Sequence, residues 1–185
     1  HEIKAVMAVH TDTATSVKND IAALRACMDA SGHPALLMVD CIASMGCDRF
    51  EMDLWGVDVA ITASQKGLMT PPGLCFVWLS DKAEKTQQVA GLKTPYWDWA
   101  PRTKMPEFYR KFDGTAPVQH LYGLREALDM LVHEEGLEAA WNRHTTLAKS
   151  VWAALEKWGA SGPIEINITD PKQRSNAVTS VRIGA

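Results

Sequence analysis

Four short apolar runs, at residues 3–9, 35–39, 57–63 and 74–79, set the frame for the first 80 residues. Each reads as a strand bounded by turn-forming residues. Between the first two lies a polar cluster, Thr11-Asp12-Thr13-Ala14-Thr15-Ser16, and then a stretch with helical spacing. Asn19 or Asp20 is positioned to cap that helix; Ile21, Leu24, Cys27 and Met28 form its inner face, and Ser31-Gly32 closes it. Residues 53–56 break the chain before the third run, and Pro71-Pro72-Gly73 turns it into the fourth. Ser80-Asp81 then starts a short helix through Gln88. Strands alternating with helices at this spacing predict an α/β fold: a mostly parallel sheet flanked by helices.

Residues 91–117 break the pattern. They hold Pro95, Pro101, Pro106 and Pro117 with Tyr96, Trp97, Trp99, Phe108, Tyr109 and Phe112, and show no clear period. Excursions of this length tend to carry function. Leu121, Leu124, Leu128 and Leu131 then mark an amphipathic helix over 119–133 that ends near Gly136. A second helix over 137–158 carries Leu137, Trp141, Ala148, Val151, Leu155 and Trp158, and Gly159 and Gly162-Pro163 stop it. Residues 164–168 and 177–183 alternate as two strands of a new unit. The expected organisation is one domain over 1–134, then a linking helix and the start of a small α+β domain over 135–185. The chain opens on His1 and stops at Gly184-Ala185 just after an apolar stretch, so it is expected to be an internal piece of a longer protein.

With 46% apolar residues and a formal charge of −3, the composition is that of an ordinary globular protein. Lys and Arg are interspersed with Asp and Glu, which argues against nucleic acid as a partner. No apolar stretch approaches the roughly 20 residues that span a bilayer, and residues 1–9 read as a polar start and a strand rather than a secretory leader. The four cysteines, Cys27, Cys41, Cys47 and Cys75, form no CxxC pair. Three are expected in apolar surroundings, and a reducing, cytoplasmic setting fits them. His10, His120 and His133 have no partner at metal-ligand spacing and read as ordinary polar contacts.

Two residues carry the chemistry. Lys66, in Ser64-Gln65-Lys66-Gly67-Leu68, follows the third apolar run directly. A lysine at the end of a buried strand is expected to have a dry stem and an amine at the rim; desolvation then lowers its pKa and frees the amine to attack a carbonyl carbon. Asp40 ends the second run. Two parallel strands would deliver both groups to one sheet edge, an amine for a Schiff base and an acid for a ring nitrogen. That pairing suggests pyridoxal phosphate.

Four segments occur in an order and spacing that resembles the class V aminotransferases, whose fold is shared with aspartate aminotransferase. They are His10-Thr11-Asp12-Thr13-Ala14-Thr15, Val39-Asp40-Cys41-Ile42-Ala43-Ser44, Ser64-Gln65-Lys66 with Pro71-Pro72-Gly73, and Gly114-Thr115-Ala116-Pro117 with Leu121-Tyr122-Gly123-Leu124-Arg125-Glu126. The chain looks most like the alanine/serine/aspartate–glyoxylate group, along essentially its whole length. The resemblance implies the large domain of the pyridoxal-phosphate fold type I followed by the start of the small domain. It implies Lys66 as the catalytic Schiff-base lysine and proton carrier, and Asp40 behind the pyridinium nitrogen. Ile42 with Ala43 would lie beneath the ring, Thr13 at the phenolic oxygen and Gln65 near the phosphate. Thr115 would reach the phosphate of a neighbouring subunit's cofactor, which implies a homodimer with a shared site. The chain departs from the family pattern twice: Ser16 stands where a glycine is usual, and Phe112 where an aromatic hydroxyl is frequent.

The implied reaction is pyridoxal 5'-phosphate-dependent transamination between an amino acid (alanine, serine or aspartate) and glyoxylate or a similar small 2-oxo acid. In the family the phosphate-binding Gly-rich loop and the ring-stacking aromatic precede the segment matching His1, and the carboxylate-binding arginine follows the one matching Ala185. Arg182 falls too early to match that arginine. The 185 residues alone are therefore expected to be inactive. A cysteine desulfurase-like lyase is the sister reading. It is weakened because Gln65 stands where those enzymes usually carry histidine, and because no cysteine is evidently placed as a nucleophile. The remaining alternative is a non-catalytic fragment acting only in subunit packing, with open sheet edges.

Overall fold

The Asp20 carboxylate starts the first helix by accepting the Ala23 N–H at 2.8 Å. The computed structural model describes residues 2–184. Strand β1 (Ala5–Val9) is followed by helix α1 (Ile21–Ala30) and strand β2 (Leu36–Asp40). Strands β3 (Val59–Ala63) and β4 (Cys75–Leu79) follow, then helices α2 (Asp81–Gln88), α3 (Ala100–Lys104), α4 (Val118–Leu128) and α5 (Leu137–Gly159). Strands β5 (Ile164–Ile166) and β6 (Val181–Ile183) close the described chain as an antiparallel pair.

The main sheet has the order β1-β2-β3-β4. β1, β2 and β3 are parallel, in a register that sets Val9 beside Asp40 and Asp40 beside Ile61. β4 runs antiparallel to β3. The mostly parallel sheet is as expected, and the reversal of β4 has a simple cause. A parallel return needs a long crossover that climbs the sheet, and the link between Ala63 and Cys75 is a set of turns without a helix.

One sheet face carries the core. Leu37, Val39 and Ala60 point at α1, where they bury Ile21 and Met28 together with Cys41 and Val57. Each such side chain contributes about 1.5–3 kcal/mol on leaving water. Cys27 is exposed rather than inward-facing, because it sits 240° around the helix from Ile21 when each residue advances 100°. Cys75, the first residue of the outer strand β4, is exposed as well. Two thiols, Cys41 and Cys47, are therefore buried, not three. On the opposite face, α2 and Trp99 cover only one end of the sheet, packing Ala83 onto Leu36 and Val59. The other end stays open: Met7 is 82% exposed.

The aromatic excursion contains α3 and a 3-10 turn at Phe108–Lys111. α4 continues beyond Leu128 as a wider π-helical stretch, Asp129–Glu135, before Gly136 breaks it at a φ of 84°. On α5, Ala140 and Ala148 are buried while Leu137, Val151 and Trp158 are exposed. The stripe expected there is only partly used, because only one side of the helix meets β5 and the segment after it. Trp152 donates its ring N–H to Thr179 Oγ1 at 3.0 Å across that contact. Among the described residues, no helix is long and apolar enough to cross a membrane.

Candidate active site

Three loops leave the C-terminal ends of β1, β2 and β3 side by side, and each carries residues singled out from the sequence. In open sheets with parallel strands, this edge is where ligands bind. The first loop, 10–18, is shaped by Asp12, whose carboxylate accepts from the backbone N–H of Ala14 and Thr15 and from the Thr15 hydroxyl (2.6 Å). Thr13 rides exposed on its tip. Ser16, where a glycine was noted as usual, takes the left-handed φ of 63° that glycine adopts most easily. It is buried, and its hydroxyl meets Ser180 Oγ at 2.8 Å and accepts the Ser180 N–H at 3.1 Å. The glycine-type conformation survives because the tail satisfies the serine.

The second loop begins at Asp40. One carboxylate oxygen accepts the Ile42 N–H at 2.8 Å, which fixes its orientation. The other makes no hydrogen bond among the described residues. Met7, Val9, Met38, Val59 and Ile61 surround Asp40 on the open sheet face and line a trough of about 260 Å³. Ile42 and Ala43 are half-buried just beyond.

The third loop holds Lys66. Ser64 closes its base: its hydroxyl donates to the Pro71 carbonyl (2.7 Å) and accepts the Leu74 N–H (3.2 Å). Thr70 donates to the Ser64 carbonyl at 3.0 Å from the other side. Gly67 lies so close to the second loop that a Cβ there would sit 2.0 Å from the Met45 carbonyl oxygen. Gly46, at a φ of 84°, belongs to the same contact: a Cβ there would sit 3.0 Å from the Gly67 carbonyl oxygen. Lys66 is thus held next to the Asp40 loop by backbone contact. Its side chain and that of Gln65 are exposed. The dry surroundings expected of Lys66 are not supplied by the described residues, since the chain leaves β3 at Ala63 and turns outward before the lysine.

Thr115 stands apart. It is exposed and makes no hydrogen bond to the three loops. It precedes α4, whose His120 ring nitrogen lies 3.0 Å from the Pro72 carbonyl and whose Gly123 packs near Thr70. Arg182, on β6, pairs with Glu165 at 3.1 Å.

Two buried connectors join the loops: His10, the polar contact expected of it, and Asp48, which reading the sequence missed. His10 Nδ1 lies 2.8 Å from Ser44 Oγ, and the imidazole is enclosed by Phe50 and Trp55 with centroids 5.5 Å away. Burial pushes its pKa down to about 4, so it is neutral at ordinary pH. Asp48, 1% exposed on its side chain, joins the first two loops to the C-terminal segment. Neither has a distinguishing local pattern; each is recognisable only as a polar residue close to an expected site.

Asp40 lines an apolar trough, and the loops that carry Thr13 and Lys66 leave the same sheet edge from the strands on either side of it. A carboxylate with one oxygen free of hydrogen bonds among the described residues matches a protonated ring nitrogen. The family described as class-V aminotransferase matches residues 1–185, and the chain belongs to it. Membership implies pyridoxal phosphate.

The chain is 44% identical to a serine–glyoxylate aminotransferase of Methylorubrum extorquens over 98% of its own length and 45% of the relative's. It is 41% identical to an L-aspartate–glyoxylate aminotransferase of Paracoccus denitrificans, over 99% and 45%. Against the Arabidopsis thaliana serine–glyoxylate aminotransferase the identity is 45%, over 99% and 44%. Among solved structures, the alanine–glyoxylate aminotransferase of Nostoc superposes with a TM-score of 0.79 at 31% identity, over 95% of this chain and 45% of that one. The chain spans just under half the length of the curated relatives it matches.

Proposed function

We propose that the whole protein transfers an amino group from alanine, serine or aspartate to glyoxylate or a similar small 2-oxo acid. The observation that carries this reading is the 41–45% identity, across 98–99% of the chain, to relatives named for glyoxylate transamination. The shared edge of Asp40 and Lys66 supports it.

When bound, pyridoxal phosphate supplies a ring that takes up electron density from the substrate's α-carbon. Asp40 then accepts a charge-assisted hydrogen bond from the ring nitrogen and keeps it protonated, a role for which its free oxygen and fixed orientation suit it. Ile42 with Ala43 would hold the ring from below, Thr13 would donate to its phenolic oxygen, and Gln65 would serve the phosphate. Lys66 would hold the cofactor through its amine and would move a proton to or from the substrate α-carbon. Thr115, without a local partner, serves the phosphate of a second subunit in a homodimer. The segment from α5 onward, with its own β5–β6 pair, begins the small domain. Four free thiols support a reducing, cytoplasmic setting.

The buried thiols give the desulfurase-like alternative no support. Burial and the adjoining Asp40 push the Cys41 thiol up to about 12, and burial raises Cys47 too. A thiol held protonated is a poor nucleophile.

The test is spectroscopic. The full-length protein, loaded with pyridoxal phosphate, should absorb near the visible edge, and borohydride should attach the cofactor to the peptide containing Lys66. Lys66→Ala should abolish both this band and transamination between each of the three donors and glyoxylate. A Lys66→Ala protein that kept the band and turned over would refute the assignment.

A further inference from the structure

Asp48 is a buried charged side chain that reaches both the Thr13 loop and the C-terminal segment. It belongs to the Asp40 loop. Its carboxylate accepts from the Thr11 hydroxyl at 3.3 Å, two residues before Thr13. It also accepts from the Ser175 hydroxyl and from the Asn176 N–H at 2.9 Å, and Lys18 Nζ lies 3.7 Å away. The Asn176 side chain in turn donates to Thr145 Oγ1 of α5 at 2.9 Å. Burying a carboxylate is costly, and apolar replacements of buried ion pairs are often as stable, so stability alone is a weak reason for one here. Its connections point to placement. Beyond the pairing of Val9 with Asp40, the Thr13 loop and the Asp40 loop are joined by the His10 N–H to the Asp40 carbonyl at 2.8 Å, by His10 Nδ1 with Ser44 Oγ, and by Asp48 with Thr11, which is the contact nearest Thr13.

We propose that Asp48 is a positioning residue: it sets the Thr13 loop against the Asp40 loop and fastens both to the 174–180 segment. The proposal rests on the function proposed above only for its consequence, cofactor binding. The placement itself belongs to this chain. Asp48 acts through Thr11 and touches no reacting atom.

The experiment uses the full-length protein with Asp48→Asn, Thr11→Val and the double variant. Amide hydrogen exchange is measured without cofactor, and pyridoxal phosphate is then titrated by absorbance. Exchanging a charge-assisted for a neutral hydrogen bond should raise the half-saturating cofactor concentration about tenfold. Exchange should speed up over 11–18 and 174–180 while the amides of β2 and β3 keep their protection. The double variant should lose little more than Asp48→Asn alone, because Thr11→Val cuts one of the connections that Asp48→Asn already weakens. Should Asp48→Asn fail to fold, Thr11→Val decides alone, since it leaves the bonds from Ser175 and Asn176 in place. Unchanged exchange over 11–18, a uniform loss of protection that includes β2 and β3, or an unchanged half-saturation would each overturn the proposal. Absence of any Lys66-dependent cofactor uptake by the unmodified protein would refute the proposed function instead, and the exchange measurements would still decide the placement.

Discussion

Replacing Gly67 with alanine tests whether the backbone contact between two loops holds the lysine in place. A Cβ at that position would lie 2.0 Å from the Met45 carbonyl oxygen and 3.1 Å from both the Met45 carbonyl carbon and the Cys47 sulfur. Ordinary contact begins near 3.4 Å, so the loops must part by about 1.4 Å. A flexible side chain could swing aside, but the obstacle here is main chain. Met45 is tied back by its N–H to the Cys41 carbonyl at 2.9 Å, and Gly46 in the same loop also lies against the Gly67 backbone. Overpacking of this kind costs about 1–3 kcal/mol. For a protein of this size each kcal/mol lowers the melting temperature by roughly 2–4 °C, giving a fall of about 2–12 °C. Lys66 is the adjoining residue and would shift with the loop. A displacement of about 1 Å at a reacting group can cost on the order of 100-fold in rate. Thermal unfolding followed by circular dichroism reads the first effect, and turnover of the full-length protein at saturating cofactor the second. Gly91→Ala is the control, because nothing lies within 4 Å of its added methyl. If Gly67→Ala melted within 1 °C of the parent and turned over normally, the contact would not be what places the lysine.

Further outcomes follow from the same contacts. Ser64→Ala leaves the Pro71 carbonyl and the Leu74 N–H without their side-chain partner at a fully buried site. That should cost about 1–3 kcal/mol in urea unfolding; a loss under about 0.5 kcal/mol would mean that Ser64 does not close the loop. His10 contributes a pH dependence. Well above pH 6.5 it is neutral whether the chain is folded or not, and it has no effect. As pH falls from 6.5 toward 4, the unfolded form takes up a proton that the buried imidazole refuses, so stability declines, by at most about 3 kcal/mol. Comparing unfolding of the parent and His10→Asn between pH 7 and pH 4 isolates this contribution, and equal slopes would contradict it.

Much of the frame was legible locally. Asp20 and Ser80 cap their helices as their positions predicted, because a cap is a contact over three residues. The ends of β2 and β3 could be read from where apolar runs meet Asp40 and the Ser64-Gln65-Lys66 turn, which is why both groups were assigned to one sheet edge from the chain alone. Cys27 was misjudged because a 10-residue helix has room for an off-face apolar residue. The dry environment of Lys66 was misjudged because it assumed cover that a strand's end does not itself provide.

What the amino-acid order decided, then, was the alternation of strands and helices and which chemical groups stand at the strand ends, since both depend on neighbours a few residues apart. Tertiary structure alone decided that Gly46 and Gly67 touch, that β4 runs back along β3, and that the tail satisfies Ser16. It also decided that Asp48 joins segments as far apart as Thr11 and Ser175. Those contacts close long loops, and which loops meet depends on how the sheet and helices pack as a whole.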